Sequence, residues 1–358
     1  MRSVADSGGQ HTTGPMPTHT PGKAREPARL RDVARAAGVH VATVSRVVNP
    51  RSGAPVREST RDRVLEEVVR LGYRPNAIAR SLKLAETGSL GLLVPSLRNP
   101  VLADVIRGAM TRAWERNFVV LLAEDTGEDA AQRAYERLVQ EGRIEGLLVA
   151  SAHLGDRTWR RYLADNVPCV FLNRRYAGSH RNVSMREEDA GRVAATHLIE
   201  LGHRRLAHIA GPADLDTACR RLAGFVEGAE KVGVAPAIVH ASFDERAGFV
   251  AMTELLLLKP RPTAIFVSNI NQAIGAVVGA RRSHVRIPRD LAVVACDDDP
   301  IAEFLEVPLT TIRMPLAELG RTAVDALLDQ VAGVAPHDIV VPDSPTLIVR
   351  ESSERARQ

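Results

Sequence analysis

Cysteine is scarce in this 358-residue chain: Cys169, Cys219 and Cys296 stand far apart, with no CxxC pair. That spacing excludes a disulfide framework or a zinc knuckle and fits a reducing, cytoplasmic compartment. Long apolar runs are missing as well. No stretch approaches the roughly 18 residues of a membrane span, and the N-terminal segment holds no signal-like apolar core, so neither an anchor nor a secretory leader is expected. The catalytic signatures GxSxG, Walker A, GxGxxG and HExxH do not occur, and nothing argues for an enzyme, a cofactor or a metal site. Lysine is nearly absent, 4 residues against 43 arginines, which reads as genomic base composition and carries no mechanism.

What is present is a globular composition, 45% apolar, in a chain long enough for two or three folding units. Its net charge of +4 is unevenly spread. Residues 1–86 hold 15 Lys/Arg against 8 Asp/Glu, and the remainder 32 against 35. A basic head on a mildly acidic body points to a polyanion met by the head, although charge alone leaves a merely solvated basic surface open. Residues 1–28 are polar and rich in Gly, Pro, Ser and Thr. Such a segment cannot bury enough surface to offset its ordering entropy, so a disordered tail is expected.

Residues 30–84 read as short helices. From Leu90 the texture changes to short apolar runs: LGLLV (90–94), VVLLA (119–123), GLLVA (146–150), CVFL (169–172), LAHIA (206–210), AIFVS (264–268) and LAVVA (291–295). Amphipathic stretches at 100–116, 128–142, 187–201, 244–258 and 270–283 lie between most of them. Strands apolar on both faces, alternating with helices, predict parallel sheets with crossover helices. More than one core is needed for so long a body, which predicts two lobes. That pattern alone serves dehydrogenases, kinases and binding proteins equally.

The segment RDVARAAGVHVATVSRVVN (31–49) is more specific. Val33, Ala34 and Ala37 share one helix face, Gly38 supplies a tight turn, and a second helix starts at Val41 with Val44, Val47 and Val48 inward. This is the pattern of a helix-turn-helix, whose second helix enters the major groove. Val41, Ala42, Thr43, Ser45, Arg46 and Asn49 are left facing outward. Arg46 suits the paired acceptors of a guanine edge, and Val41 and Ala42 suit thymine methyls. A third helix is predicted over 59–71.

This segment, the following LGYRPNAIARSL (71–82) and the α/β body together resemble the LacI/GalR family of repressors over residues 29–352. The resemblance implies a helix-turn-helix head (29–74), a hinge helix and linker (75–87), a two-lobed domain similar to periplasmic binding proteins (88–352) and a short tail (353–358). It places Asn76, Ala79 and Leu82 on the hinge, with Leu82 as the wedge that enters the minor groove. ARSLK is too short to be helical alone in water, so partner and DNA must stabilise it. Three helix starts carry Arg29, His40 and Arg57 where the family has Ser or Thr, which predicts missing N-caps at about 1 kcal/mol each.

In the body the resemblance places an effector at the carboxyl ends of the strands, between the lobes. Arg221 takes the position of an arginine that binds effector hydroxyls or carboxylates, and Asn173 that of a pocket Asp or Asn. Ser96, Val101, Ile270 and Met314 stand where Asp, Phe, Asp and Gln are common. Losing those acceptors argues against a neutral sugar and for an anionic or partly apolar metabolite held by Arg221. Asp297, Asp298 and Asp299 read as a strand-end loop rather than a cation site, and His197, His203 and His208 lack metal-ligand spacing. The expectation is a homodimeric repressor of a palindromic operator in double-stranded DNA, with no membrane partner. Its rivals are a DNA-binding regulator with an inert body and a transport solute-binding protein.

Overall fold

The computed structural model describes residues 28–48, 56–73, 87–125, 137–155, 157 and 159–354. The expected hinge (76–83), and with it Asn76, Ala79 and Leu82, lies outside the described residues, as does Asn49. The chain divides into two compact units, one ending at Leu84 and one beginning at Ala85.

The first unit holds α1 (Leu30–Ala37), α2 (Val41–Val48) and α3 (Glu58–Leu71). Val33, Ala34, Ala37, Val44, Val47 and Val64 form its core. Gly38 adopts φ 64°, a left-handed conformation that closes α1, and its N–H donates back to the last turn.

The second unit is built of strands and helices. It runs β1 (Ser89–Val94), α4 (Val101–Glu115), β2 (Val119–Glu124), β3 (Leu147–Val149), α5 (Arg160–Ala164), β4 (Cys169–Leu172) and β5 (Asn182–Ser184). Then come α6 (Glu187–Glu200), β6 (Leu206–Ala210), α7 (Asp216–Glu230), β7 (Ala237–His240), α8 (Glu245–Leu256), β8 (Ala264–Val267), α9 (Ile270–Arg282) and β9 (Ala292–Cys296). The chain closes with α10 (Ile301–Phe304), β10 (Thr310–Arg313), α11 (Leu316–Val331), β11 (Ile339–Val340) and β12 (Thr346–Ile348).

Two six-stranded sheets result, ordered β11-β5-β4-β3-β1-β2 and β12-β10-β9-β8-β6-β7. All pairings are parallel except β10 with β12. Each sheet is one lobe, and the chain passes between lobes after β5, after β10 and after β11. All seven apolar runs seen in the sequence are strands. Their burial is complete in β3, β4, β6, β8 and β9, but β2 closes a sheet edge and leaves Val119, Leu121 and Leu122 exposed. Strands β5, β7, β10, β11 and β12 are too short or too polar to have stood out as apolar runs. Among the described residues no helix is long and apolar enough to cross a membrane.

Three helix pairs carry the lobes, α4 with α11, α6 with α7, and α8 with α9. Each pair meets at reciprocal glycines. A β-carbon at Gly224 would overlap the Glu188 carbonyl, and one at Gly191 the Arg221 carbonyl. Backbone therefore packs directly on backbone there, which brings the first turn of α6 against α7.

Candidate DNA-reading helix and interlobe cleft

In the head, α2 is held from below by buried Val44 and Val47, so the opposite side of the helix is presented outward. Val41 is 39% exposed, Ala42 and Arg46 are exposed, and Thr43 and Ser45 are half-buried. These five outward positions share one helix face at the spacing that the 3.6-residue turn dictates. One of the expected capping defects is corrected, and α1 and α3 keep no side-chain cap at Arg29 and Arg57. The Ala42 N–H donates to His40 Nδ1 at 3.2 Å, so the imidazole replaces the missing hydroxyl at the start of α2. At α1 the Arg29 N–H donates to the Asp32 carboxylate at 2.9 Å, which satisfies the N-cap's own N–H but gives the helix no side-chain acceptor.

In the body, the six cleft positions expected from sequence are not joined to one another by polar contacts. Ser96 follows β1 and is half-buried, with its Oγ accepting from the Arg98 N–H at 3.2 Å. Val101 opens α4 and packs against the apolar clusters of both lobes. Asn173 ends β4 at φ 68°, half-buried, its N–H donating to Val183 O at 3.0 Å. Ile270 is fully buried in the core of the second lobe, and Met314, 4% exposed, lies in the apolar cluster that draws on both sheets. Both side chains pack in apolar clusters.

Arg221 is engaged by groups of its own chain. It is 5% exposed, and its Nε donates to Glu187 Oε2 at 2.7 Å. Its Nη1 donates to the Ser268 carbonyl, and Asp297 Oδ2 stands 3.9 Å from the same nitrogen. Glu187 is fully buried and Asp297 nearly so. The guanidinium expected to await an anion is thus already matched by carboxylates of its own chain. Burial pushes the Asp297 carboxyl up to about 6, and Arg221 opposes that shift.

The residues that sequence reasoning missed are those neighbours. Glu187 and Glu188 open α6, opposite Arg221 and Arg220 on α7, because the Gly191–Gly224 contact lets the two helices close. Arg220 donates to Glu188 at 2.8 and 2.9 Å and to Met185 O at 2.6 Å. Arg175 donates to Asp216 at 3.1 Å. The run EED (187–189) beside RR (220–221) was the available signal, but only the helix pairing reveals it. Asp298 is claimed by Thr311, Arg313 and Arg350 at 2.6, 2.6 and 2.9 Å, which accounts for the acidic loop by internal pairing. Among the described residues no group of three or more His, Cys, Asp or Glu is placed to hold a metal ion. His208 is buried between Phe266 and Phe225; its Nδ1 faces Phe266 O at 3.0 Å, and burial pushes its pKa down to about 3.

Residues 29–76 match the family described as bacterial regulatory proteins, lacI family, and residues 195–353 match the periplasmic binding protein-like domain. The chain is 32% identical to the HTH-type transcriptional repressor PurR of Photobacterium profundum, over 91% of this chain and 98% of that protein. It is 33% identical to the ribose operon repressor of Escherichia coli, over 91% and 100%. A solved structure of the Lac repressor dimer bound to operator and an anti-inducer superposes with a TM-score of 0.78 at 30% identity, covering 91% of this chain and 99% of that one. An α/β binding body behind a helix-turn-helix head is the architecture of a DNA-binding transcription regulator, and this chain belongs to the lacI family of bacterial regulatory proteins.

Proposed function

We propose that the protein is a cytoplasmic transcription repressor. It binds a two-fold symmetric operator as a homodimer, and a small-molecule effector between the lobes sets its affinity. The head is assigned to 29–74, the hinge and linker to 75–87 with Asn76, Ala79 and Leu82 meeting the minor groove, and the effector and dimer body to 88–352. The observation that carries this reading is α2. It presents Val41, Ala42, Thr43, Ser45 and Arg46 on the face opposite its buried valines. Two identical heads related by a two-fold axis require a two-fold symmetric site.

The test is selection of bound fragments from the organism's own DNA, followed by affinity measurements across a salt series. Backbone neutralisation by two basic heads should make log K fall steeply with log salt. Arg46→Ala should weaken operator binding by about 1–3 kcal/mol per half-site and relax preference at one base position in each. Equal weakening on operator and random DNA would reduce Arg46 to a phosphate contact. A nearly flat salt slope would count against the basic head as the docking surface.

A further inference from the structure

The second sheet gathers arginines along its amino edge, the side opposite the strand ends that face the interlobe cleft. Strands β9, β8 and β6 are neighbours, and Leu206 of β6 pairs with Ala264 of β8, which pairs with Ala292 of β9. Residues just before these strands therefore stand side by side: Arg204 and Arg205 before β6, Arg261 before β8 and Arg289 before β9. With strands about 4.8 Å apart, the four arginines span roughly 10 Å. All four are exposed, and among the described residues none of them forms an ion pair. Elsewhere on the body Arg112, Arg192, Arg281 and Arg321 each meet a carboxylate. The carboxylate beside the row, Asp290, is taken by Arg286, whose Nε and Nη2 donate to it at 2.9 and 3.1 Å.

Backbone carbonyls, not acids, hold two of these side chains. Arg204 Nη1 donates to Ile199 O at 3.0 Å and to His203 O at 2.9 Å, and Arg205 Nε donates to Arg261 O at 2.9 Å. A neutral carbonyl fixes a guanidinium without cancelling its charge, and each side chain has further N–H groups to offer. His203 Nδ1, 3.1 Å from Thr263 Oγ1, ties the same turn to the loop before β8. Residues 202–205, Thr263 and residues 288–290 line a surface pocket of about 340 Å³. That is the size of a small-molecule site, about 300–1,000 Å³. The positive charge is local, since residues 87–358 hold 35 acids against 32 Lys/Arg. We propose that this pocket is a second ligand site, taking a compact polyphosphate such as the diphosphate group of a nucleotide. Arg204 and Arg205 meet it from one loop and Arg289 from another. The guanidinium fork pairs with two phosphate oxygens at once, and cations on two loops favour two linked phosphoryl groups over one. The site is separate from the interlobe cleft and does not depend on the effector reading.

The experiment is isothermal titration of the full chain with pyrophosphate, inorganic phosphate, citrate and a polyglutamate peptide, at matched ionic strength and without divalent cations. Pyrophosphate should bind at least about tenfold more tightly than phosphate or citrate. Arg205→Gln and Arg289→Gln should each weaken pyrophosphate at least about tenfold. Arg289 has no hydrogen bond or ion pair to lose among the described residues, so Arg289→Gln should melt with wild type and keeps the test clean if Arg205→Gln disturbs its turn. Pyrophosphate binding that both variants leave unchanged would place the anion on the basic head and overturn the proposal. Equal affinity for citrate or phosphate would reduce the pocket to general charge attraction, and no binding of pyrophosphate would remove it. Tighter binding of polyglutamate, lost in the same variants, would make this edge a docking surface for an acidic protein and overturn the small-ligand assignment.

Discussion

Asp297 and His208 lie two strands apart in the second sheet, and burial shifts both in ways that oppose each other in acid. The His208 pKa falls from 6.5 to about 3 on folding, so the unfolded chain binds the extra proton and stability is lost as pH drops below about 6.5. The Asp297 pKa rises from 3.8 to about 6, so the folded chain holds the extra proton between those values and gains stability as pH drops through about 6 toward 4. The two slopes partly offset each other in that window. Asp297→Asn removes the second and leaves the first, and denaturant titrations between pH 4 and 7 should show a steeper acid loss than in wild type. An unchanged slope would mean that Asp297 is ionised throughout.

The element that places the buried ion pairs is the α6–α7 pair. Helices this close bring Glu187 onto Arg221 and Glu188 onto Arg220, and the contact tolerates no side chain at Gly224. Gly224→Ala must push α7 away from α6, at a cost of about 1–3 kcal/mol for overpacking. The buried ion pairs should lengthen with it, leaving charges less well compensated. Chemical denaturation would show the midpoint falling, while operator binding by the head should persist wherever the variant is folded. A variant as stable as wild type would show that α7 shifts freely, and the glycine contact would then have no positioning role.

Assembly belongs to the whole molecule. Trp114 on α4 is 76% exposed, Phe304 on α10 79% and Leu257, just past α8, 76%. Side chains left this open are candidate interface anchors, and the homodimer proposed above names a second copy of the chain as their partner. Aromatic anchors commonly dominate such interfaces at about 2 kcal/mol or more each. Trp114→Asp with Phe304→Asp should therefore shift sedimentation from dimer toward monomer at micromolar protein. It should also weaken binding to a complete operator far more than to a half-site. Unchanged sedimentation of the double variant would place the interface elsewhere.

From sequence alone came the helix-turn-helix, the alternation of strand and helix, the two-lobed body and the family resemblance. These are written in local periodicity: apolar spacing on α1 and α2, a glycine where φ must be positive, and apolar runs for strands buried on both faces. Sequence also named Arg46 correctly as an outward residue of α2, since one helix face follows from spacing. It did not reveal that Arg221 is paired with Glu187 or that Ile270 and Met314 lie in apolar clusters. Charge compensation depends on which carboxylates the fold brings within about 4 Å, and Glu187 reaches Arg221 from 34 residues away only because two glycines let their helices touch. Local pattern decides which faces are buried; only the tertiary structure decides which buried charges find a partner.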